Sequence, residues 1–255
     1  MTTGDQKPMQ FGWRVYGLGI VAFGIIGFVW GDFISGQPVP KWFPERGALA
    51  YAAAAFLAVA GLAIEWRKTV TWAAAALVAY YGLIVLLLMN GNVILKNYTV
   101  AGAYTGAAEP FAIAAGAAIV YTATANIDAP LAARLTRLTR LAQLAFGICA
   151  ILFGVAHFVY MNYTAPLIPT WLPPSQIFWG YATGVFHILS GIAILTGIRA
   201  RLAAILAAVM YGSFVPLVFV PVLMTEPSAF RWTELATTVV LIGVAWTVAD
   251  SFKRR

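Results

Sequence analysis

Long apolar runs dominate this chain, and short polar stretches separate them. A helix needs roughly 17–25 mostly apolar residues to cross the hydrocarbon core of a bilayer. The pattern predicts eight such helices: 13–30, 47–64, 70–89, 106–124, 141–160, 177–197, 202–224 and 232–249. The seventh contains Pro216 and Pro221, which predict a kink or an early end because proline interrupts the hydrogen bonds of a helix.

The second half of the chain repeats the pattern of the first. The segment VPKWFP at 39–44 returns as IPTWLP at 168–173, and Phe23 returns 130 residues later as Phe153. Each copy holds four predicted helices, which is an even number, so both copies take the same orientation. We therefore expect an all-α, polytopic integral membrane protein built from two parallel-repeat four-helix bundles.

The domain boundaries follow from this repeat. We expect a first four-helix membrane unit at 1–125, a basic cytoplasmic connector at 126–140, and a second four-helix membrane unit at 141–255. The connector is expected to be a short amphipathic piece at the membrane surface.

Composition identifies the bilayer as the solvent. Hydrophobic residues make up 62% of the chain and charged residues 10%, and a soluble domain of this size cannot bury so much apolar surface. Of the 16 lysines and arginines, 12 lie in the alternate gaps that share a side with both termini. The positive-inside rule then places both termini in the cytoplasm, in a bacterial-type inner membrane. This topology explains the net charge of +7, so we expect membrane lipid as a partner and no nucleic acid.

Small residues share helix faces with both histidines. Gly180, Gly184, His187 and Gly191 follow spacings of four, three and four residues, and His157 lies on a similar face of the fifth segment. Small residues let membrane helices approach closely. Both histidines are therefore expected to point into the bundle.

Four ionisable residues are candidates for function, because such groups are costly inside a membrane. Glu109 and Glu234 begin the last predicted helix of each copy, where the helix dipole favours a carboxylate, so a structural role is open for them. His157 and His187 have no counterpart in the first copy, and this asymmetry points to a specialised second half.

Two interpretations of the histidines are open. They could have a functional role, as a proton relay or in binding a quinone, or they could serve only in helix packing. His157 is expected one turn from the periplasmic end of its span and His187 roughly 15 Å deep at about 1.5 Å per residue. These unequal depths, and the absence of local ligand spacing, predict no metal or haem site.

The segment 161–176 cannot form a continuous helix, since it contains four prolines. Trp171 suits the membrane interface. This segment is expected to act either as a lid over a lipophilic ligand or as an interfacial anchor.

Residues 153–250 resemble the DoxX family of small four-helix membrane proteins. The matching elements are Phe153-Gly-x-x-His157-Phe, Ile168-Pro-x-Trp-Leu-Pro173, Tyr181-x-x-Gly184 with His187, and Trp232-Thr-Glu234. Residues 13–124 resemble a diverged second unit. The resemblance implies the fold, and some relatives are subunits of a thiosulfate:quinone oxidoreductase. This chain has one cysteine, Cys149, so a redox role would depend on a bound quinone or a partner redox protein.

The leading hypothesis is a redox-associated membrane subunit that binds quinone or a similar lipophile. His157 and Glu234 would hold the polar head, His187 would line the deeper pocket, Trp171 would cap it, and Tyr160 completes the candidate ligand-binding set. The alternatives are a non-enzymatic membrane scaffold or assembly factor, and a carrier for a small hydrophobic solute or lipid. Whether the protein is an enzyme stays open, and no catalytic residue is assigned.

Overall fold

A computed structural model describes residues 11–125 and 129–252, with the backbone alone for 129–131. The long helices are α1 (Phe11–Trp30), α2 (Arg46–Ile64), α3 (Val70–Lys96), α4 (Ala101–Thr124), α5 (Ala129–Val159), α6 (Gln176–Thr196), α7 (Ala200–Thr225) and α8 (Ala229–Ser251). Eight helices in this part of the chain are long and apolar enough to cross a membrane, and no strand occurs there. This confirms the predicted all-helical class and agrees with a polytopic membrane protein.

The two halves of the chain share one core. Helices α4 and α8 are the most buried of the eight, while α2, α3, α6 and α7 lie at the outside. Helix α1 packs most extensively against α8 and α2, whereas α5 packs against α6 and α4. The last helix of each half thus contacts the first helix of the other half, and one continuous apolar cluster includes residues of both.

The connector differs from its prediction over most of its length. Residues 129–140 belong to α5, which runs without a break to Val159, while 126–128 lie outside the described residues. No glycine or proline occurs between Leu131 and Arg140, so nothing in the sequence interrupts the helical hydrogen bonds before the predicted span begins. The basic residues therefore lie on an extension of α5.

The prolines of α7 widen the helix rather than ending it. A π-helical segment at Val215–Phe219 surrounds Pro216, and the helix continues to Thr225. Proline has no N–H and cannot donate a backbone hydrogen bond. The wider π-helical turn accommodates this missing bond without ending the helix. Helix α3 contains a longer π-helical segment, Tyr80–Asn90, at the corresponding place in the first half.

Glycines bring α5 and α6 into close contact. A Cβ atom on Gly191 would lie 2.5 Å from the carbonyl oxygen of Gly147, and one on Gly154 would lie 2.6 Å from that of Gly184. Both distances are shorter than any real Cβ contact, so these helices meet backbone to backbone. The segment that follows α5 begins with a short helix, Met161–Thr164, and a 3-10 turn, Ala165–Leu167. Together with residues 31–45, this segment forms what we call the Pro-rich end of the bundle.

We predict that Gly191→Ala destabilises the protein by about 1–3 kcal/mol, as overpacking does elsewhere. The new methyl group would meet backbone atoms of α5 that cannot move aside independently. Gly212→Ala in α7 is the matched control, because a Cβ there has nothing within 4 Å. Thermal unfolding in detergent, followed by tryptophan fluorescence, should show a lower midpoint for the first variant only, and equal midpoints would contradict the close contact.

Candidate functional site

A cavity of about 410 Å³ lies between α4, α5, α6, α7 and α8, below the Pro-rich end. Its lining is mainly apolar. The side chains that carry chemistry are Glu109, His157, His187, Tyr211, Glu234 and Thr237. The cavity thus draws its polar groups from both halves of the chain.

His157 is held by its own helix. Its Nδ1 atom lies 2.8 Å from the carbonyl oxygen of Phe153, one turn earlier in α5. A carbonyl oxygen only accepts hydrogen bonds, so Nδ1 carries the proton and donates. The second ring nitrogen, Nε2, is therefore the one available to a ligand in the cavity.

His187 is 3% exposed and lies directly beside His157. The two ring centroids are 5.3 Å apart. The hydroxyl of Tyr211 lies 3.4 Å from Nδ1 of His187, and the Phe153 ring packs edge-on against the imidazole with centroids 5.8 Å apart. Aromatic neighbours thus hold His187 while its ring faces the cavity.

The predicted difference in depth between the histidines is wrong. Helix α5 ends two residues after His157, whereas α6 begins 11 residues before His187. At about 1.5 Å per residue, α6 therefore extends roughly 13 Å beyond the end of α5. The prediction assumed that both helices reach the same level, but α5 stops short and the segment at Met161–Thr164 occupies the space above it.

The two carboxylates enter the cavity from helices that lie next to each other. Glu109 on α4 and Glu234 on α8 both line this cavity, and the two helices pack against each other. Glu109 does not begin its helix as predicted, because α4 starts at Ala101, eight residues earlier. Glu234 does not begin its helix either, because α8 starts at Ala229, five residues earlier. Both carboxylates lie beyond the first turn, so the helix dipole does not account for them.

Two predicted site residues lie elsewhere. The side chain of Trp171 is 68% exposed and does not line the cavity. Tyr160 is half-buried, and its hydroxyl packs against Gly102 of α4 rather than facing the cavity. The segment 161–176 instead reaches the cavity through Thr164, Leu167 and Ile168.

Several lining residues were missed by the sequence interpretation. Tyr211 was not predicted as a neighbour of His187. Thr237 and Thr238 follow Glu234 by three and four residues, so helical periodicity places all three on one face. Thr183 precedes His187 by four residues, so helical periodicity also places these two residues on one face. Glu109 was singled out as the counterpart of Glu234, but nothing in the sequence indicated that both carboxylates enter one cavity.

The arrangement suits a ligand with a polar head and an apolar body. Two imidazoles, two carboxyl groups, a phenol and five threonine hydroxyls provide both donors and acceptors, while the remaining lining residues are apolar. The volume falls in the range of small-molecule pockets. Among the described residues, no group of three His, Cys, Asp or Glu is arranged to hold a metal ion.

The fold and this cavity define an all-helical protein with eight membrane-length helices and a polar site inside the bundle. Residues 146–249 match a family model described as a domain of unknown function (DUF8561). No curated protein and no solved structure matches the chain. The matched region contains both histidines and Glu234, whereas Glu109 lies outside it.

We predict that a hydrophobic carbodiimide, which reacts with carboxyl groups in apolar surroundings, modifies Glu109 and Glu234. Glu226 is the internal control, since its side chain is 75% exposed and should react with a water-soluble carbodiimide instead. Peptide mass mapping distinguishes the three sites, and Glu109→Gln should abolish its own label. Labelling of Glu226 by both reagents, with none on the cavity carboxyls, would contradict the described placement.

Proposed function

We propose that this protein is a redox-associated membrane subunit that binds quinone, or another amphipathic lipophile, in the cavity lined by His157 and His187. The observation that carries the proposal is the convergence of His157, His187, Glu109 and Glu234, from four helices, on one largely apolar cavity. Ionisable groups inside a membrane bundle are costly and mark functional paths more often than packing.

The polar head of a quinone has carbonyl oxygens, which accept hydrogen bonds. Nε2 of a protonated His157, the hydroxyl of Tyr211 and a protonated carboxyl group can all donate them. Reduction of the quinone consumes electrons and protons in equal number. A partner redox protein would supply the electrons, and the Glu109–Glu234 pair would deliver the protons.

The same proposal includes the architecture. We infer two parallel DoxX-like units at 1–125 and 141–255, with both termini in the cytoplasm of a bacterial-type inner membrane. Helices α1 and α5 are the first helices of their halves, and α4 and α8 are the last. In both the α1–α8 pair and the α5–α4 pair, the first helix of one half contacts the last helix of the other, and this supports the inference. The π-helical segments at Tyr80–Asn90 and Val215–Phe219, in the third helix of each half, support it as well.

The test is binding of decylubiquinone to the purified protein, compared with the double variant His157→Ala with Glu234→Gln. Loss of hydrogen bonds to ionisable groups should weaken binding about tenfold or more. Trp171→Ala is the matched control, because this exposed aromatic does not line the cavity and its loss should leave the affinity unchanged.

Unchanged quinone affinity in a correctly folded double variant would overturn the proposal. Mass spectrometry of organic extracts from the wild-type protein gives a second readout. A different lipid retained in the cavity would favour the alternative function, a carrier for a small hydrophobic solute or lipid. No retained ligand, and no binding of the quinone, would favour a scaffold or assembly factor.

A further inference from the structure

A second cavity, larger than the one lined by His157 and His187, lies in the first half of the chain. It measures about 650 Å³ and lies between residues 33–43, α2 and α3. Its wall is apolar and aromatic, including Phe33, Trp42, Phe43 and Phe56. Its polar groups are few: the hydroxyl of Tyr80, which accepts a hydrogen bond from Gln37 at 3.0 Å, and the side chains of Asn92 and Lys96.

Three positions of this first-half cavity correspond in sequence to positions of the cavity lined by His157 and His187. Ala53, Ile84 and Leu88 line it, and the residues 130 positions later, Thr183, Phe214 and Val218, line the other. The chemistry does not correspond. His187 is matched by Leu57 and Thr183 by Ala53. The first-half cavity therefore offers a similar apolar space without imidazoles or carboxylates.

The surface around this cavity faces outward from the bundle. Leu88 is 66% exposed, and Ile84 and Leu49 are each about two fifths exposed. Exposed aliphatic side chains in the middle of a membrane-length helix face hydrocarbon rather than water. An occupant of this cavity would enter from the lipid phase, which favours a hydrocarbon chain.

One end of the cavity carries a positive charge. Asn92 and Lys96 lie four residues apart on α3, on one face at the Pro-rich end. Among the described residues, no carboxylate forms an ion pair with Lys96, whereas Arg46 nearby is paired with Asp32. Lys41 and Glu45 on the adjoining segment are exposed, do not line the cavity, and offset each other in charge. Lys96 thus gives the rim a cation beside an apolar space.

We propose that the first-half cavity is a binding site for an anionic phospholipid. One acyl chain occupies the space between α2 and α3, and the phosphate contacts Lys96 and Asn92. This site takes no part in chemistry and is independent of the quinone proposal. It assigns the first-half cavity to lipid, and the cavity lined by His157 and His187 to the reacting ligand.

The test is native mass spectrometry of delipidated protein titrated with phosphatidylglycerol or with phosphatidylcholine of the same acyl chains. We expect one tightly bound phosphatidylglycerol. Lys96→Gln should reduce its preference over phosphatidylcholine about fivefold, the effect of one lysine near anionic lipid. Lys41→Gln is the matched control, because this exposed lysine does not line the cavity, and it should change nothing.

Ala53→Phe should block the site by filling it. Ile84→Trp serves the same purpose if the first variant fails to fold, since Ile84 is partly exposed and its position leaves room for a larger side chain. The variant His157→Ala with Glu234→Gln should keep the phospholipid, which separates this site from the quinone site. Equal affinity for both phospholipids, or binding that survives both filling variants, would overturn the proposal. Displacement of the phospholipid by decylubiquinone would overturn it as well.

Discussion

The candidate site depends on the backbone contact between α5 and α6. Gly147, Gly154, Gly184 and Gly191 remove the side chains that would hold these helices apart. Inside a bilayer, apolar surface gives helices little reason to associate, so close backbone packing supplies much of the attraction. Because Gly154 and Gly184 lie next to the histidines in their helices, the same contact brings the two imidazole rings within 5.3 Å of each other.

The second constraint is that α4 and α8 occupy the centre of the bundle. Each last helix packs on the first helix of the other half, and the two carboxylates line one interior cavity. A site assembled from α4, α5, α6 and α8 needs both halves of the chain. The cavity lined by His157 and His187 carries imidazoles and carboxyl groups, whereas the first-half cavity is largely apolar.

Hydrophobic periodicity predicted the eight helices, because each must reach across about 30 Å of hydrocarbon. It also singled out His157, His187 and Glu234 as candidates, since polar residues are conspicuous in apolar helices.

Hydrophobic periodicity failed where helices extend beyond the apolar run, as at residues 129–140 and at the start of α4. The predicted difference in depth between the two histidines was wrong for another reason. Helix α5 ends and α6 begins within one residue of the predicted positions, but hydropathy does not show how far the two helices are staggered along their axes. Trp171 does not line the cavity. The prediction for it failed because an aromatic residue suited to the interface does not indicate the direction in which a proline-rich segment turns. That Glu109 and Glu234 line one cavity depends on packing between the halves, which no local sequence pattern indicates.

The most direct test of the account is photoaffinity labelling with an azido-quinone, followed by mapping of the labelled peptides. The account predicts labels on the cavity walls, around Phe153 in α5 and Phe214 in α7, and their loss when excess unlabelled quinone is added. Labelling confined to outward-facing residues such as Trp72, which is 80% exposed, and unaffected by competition would contradict it.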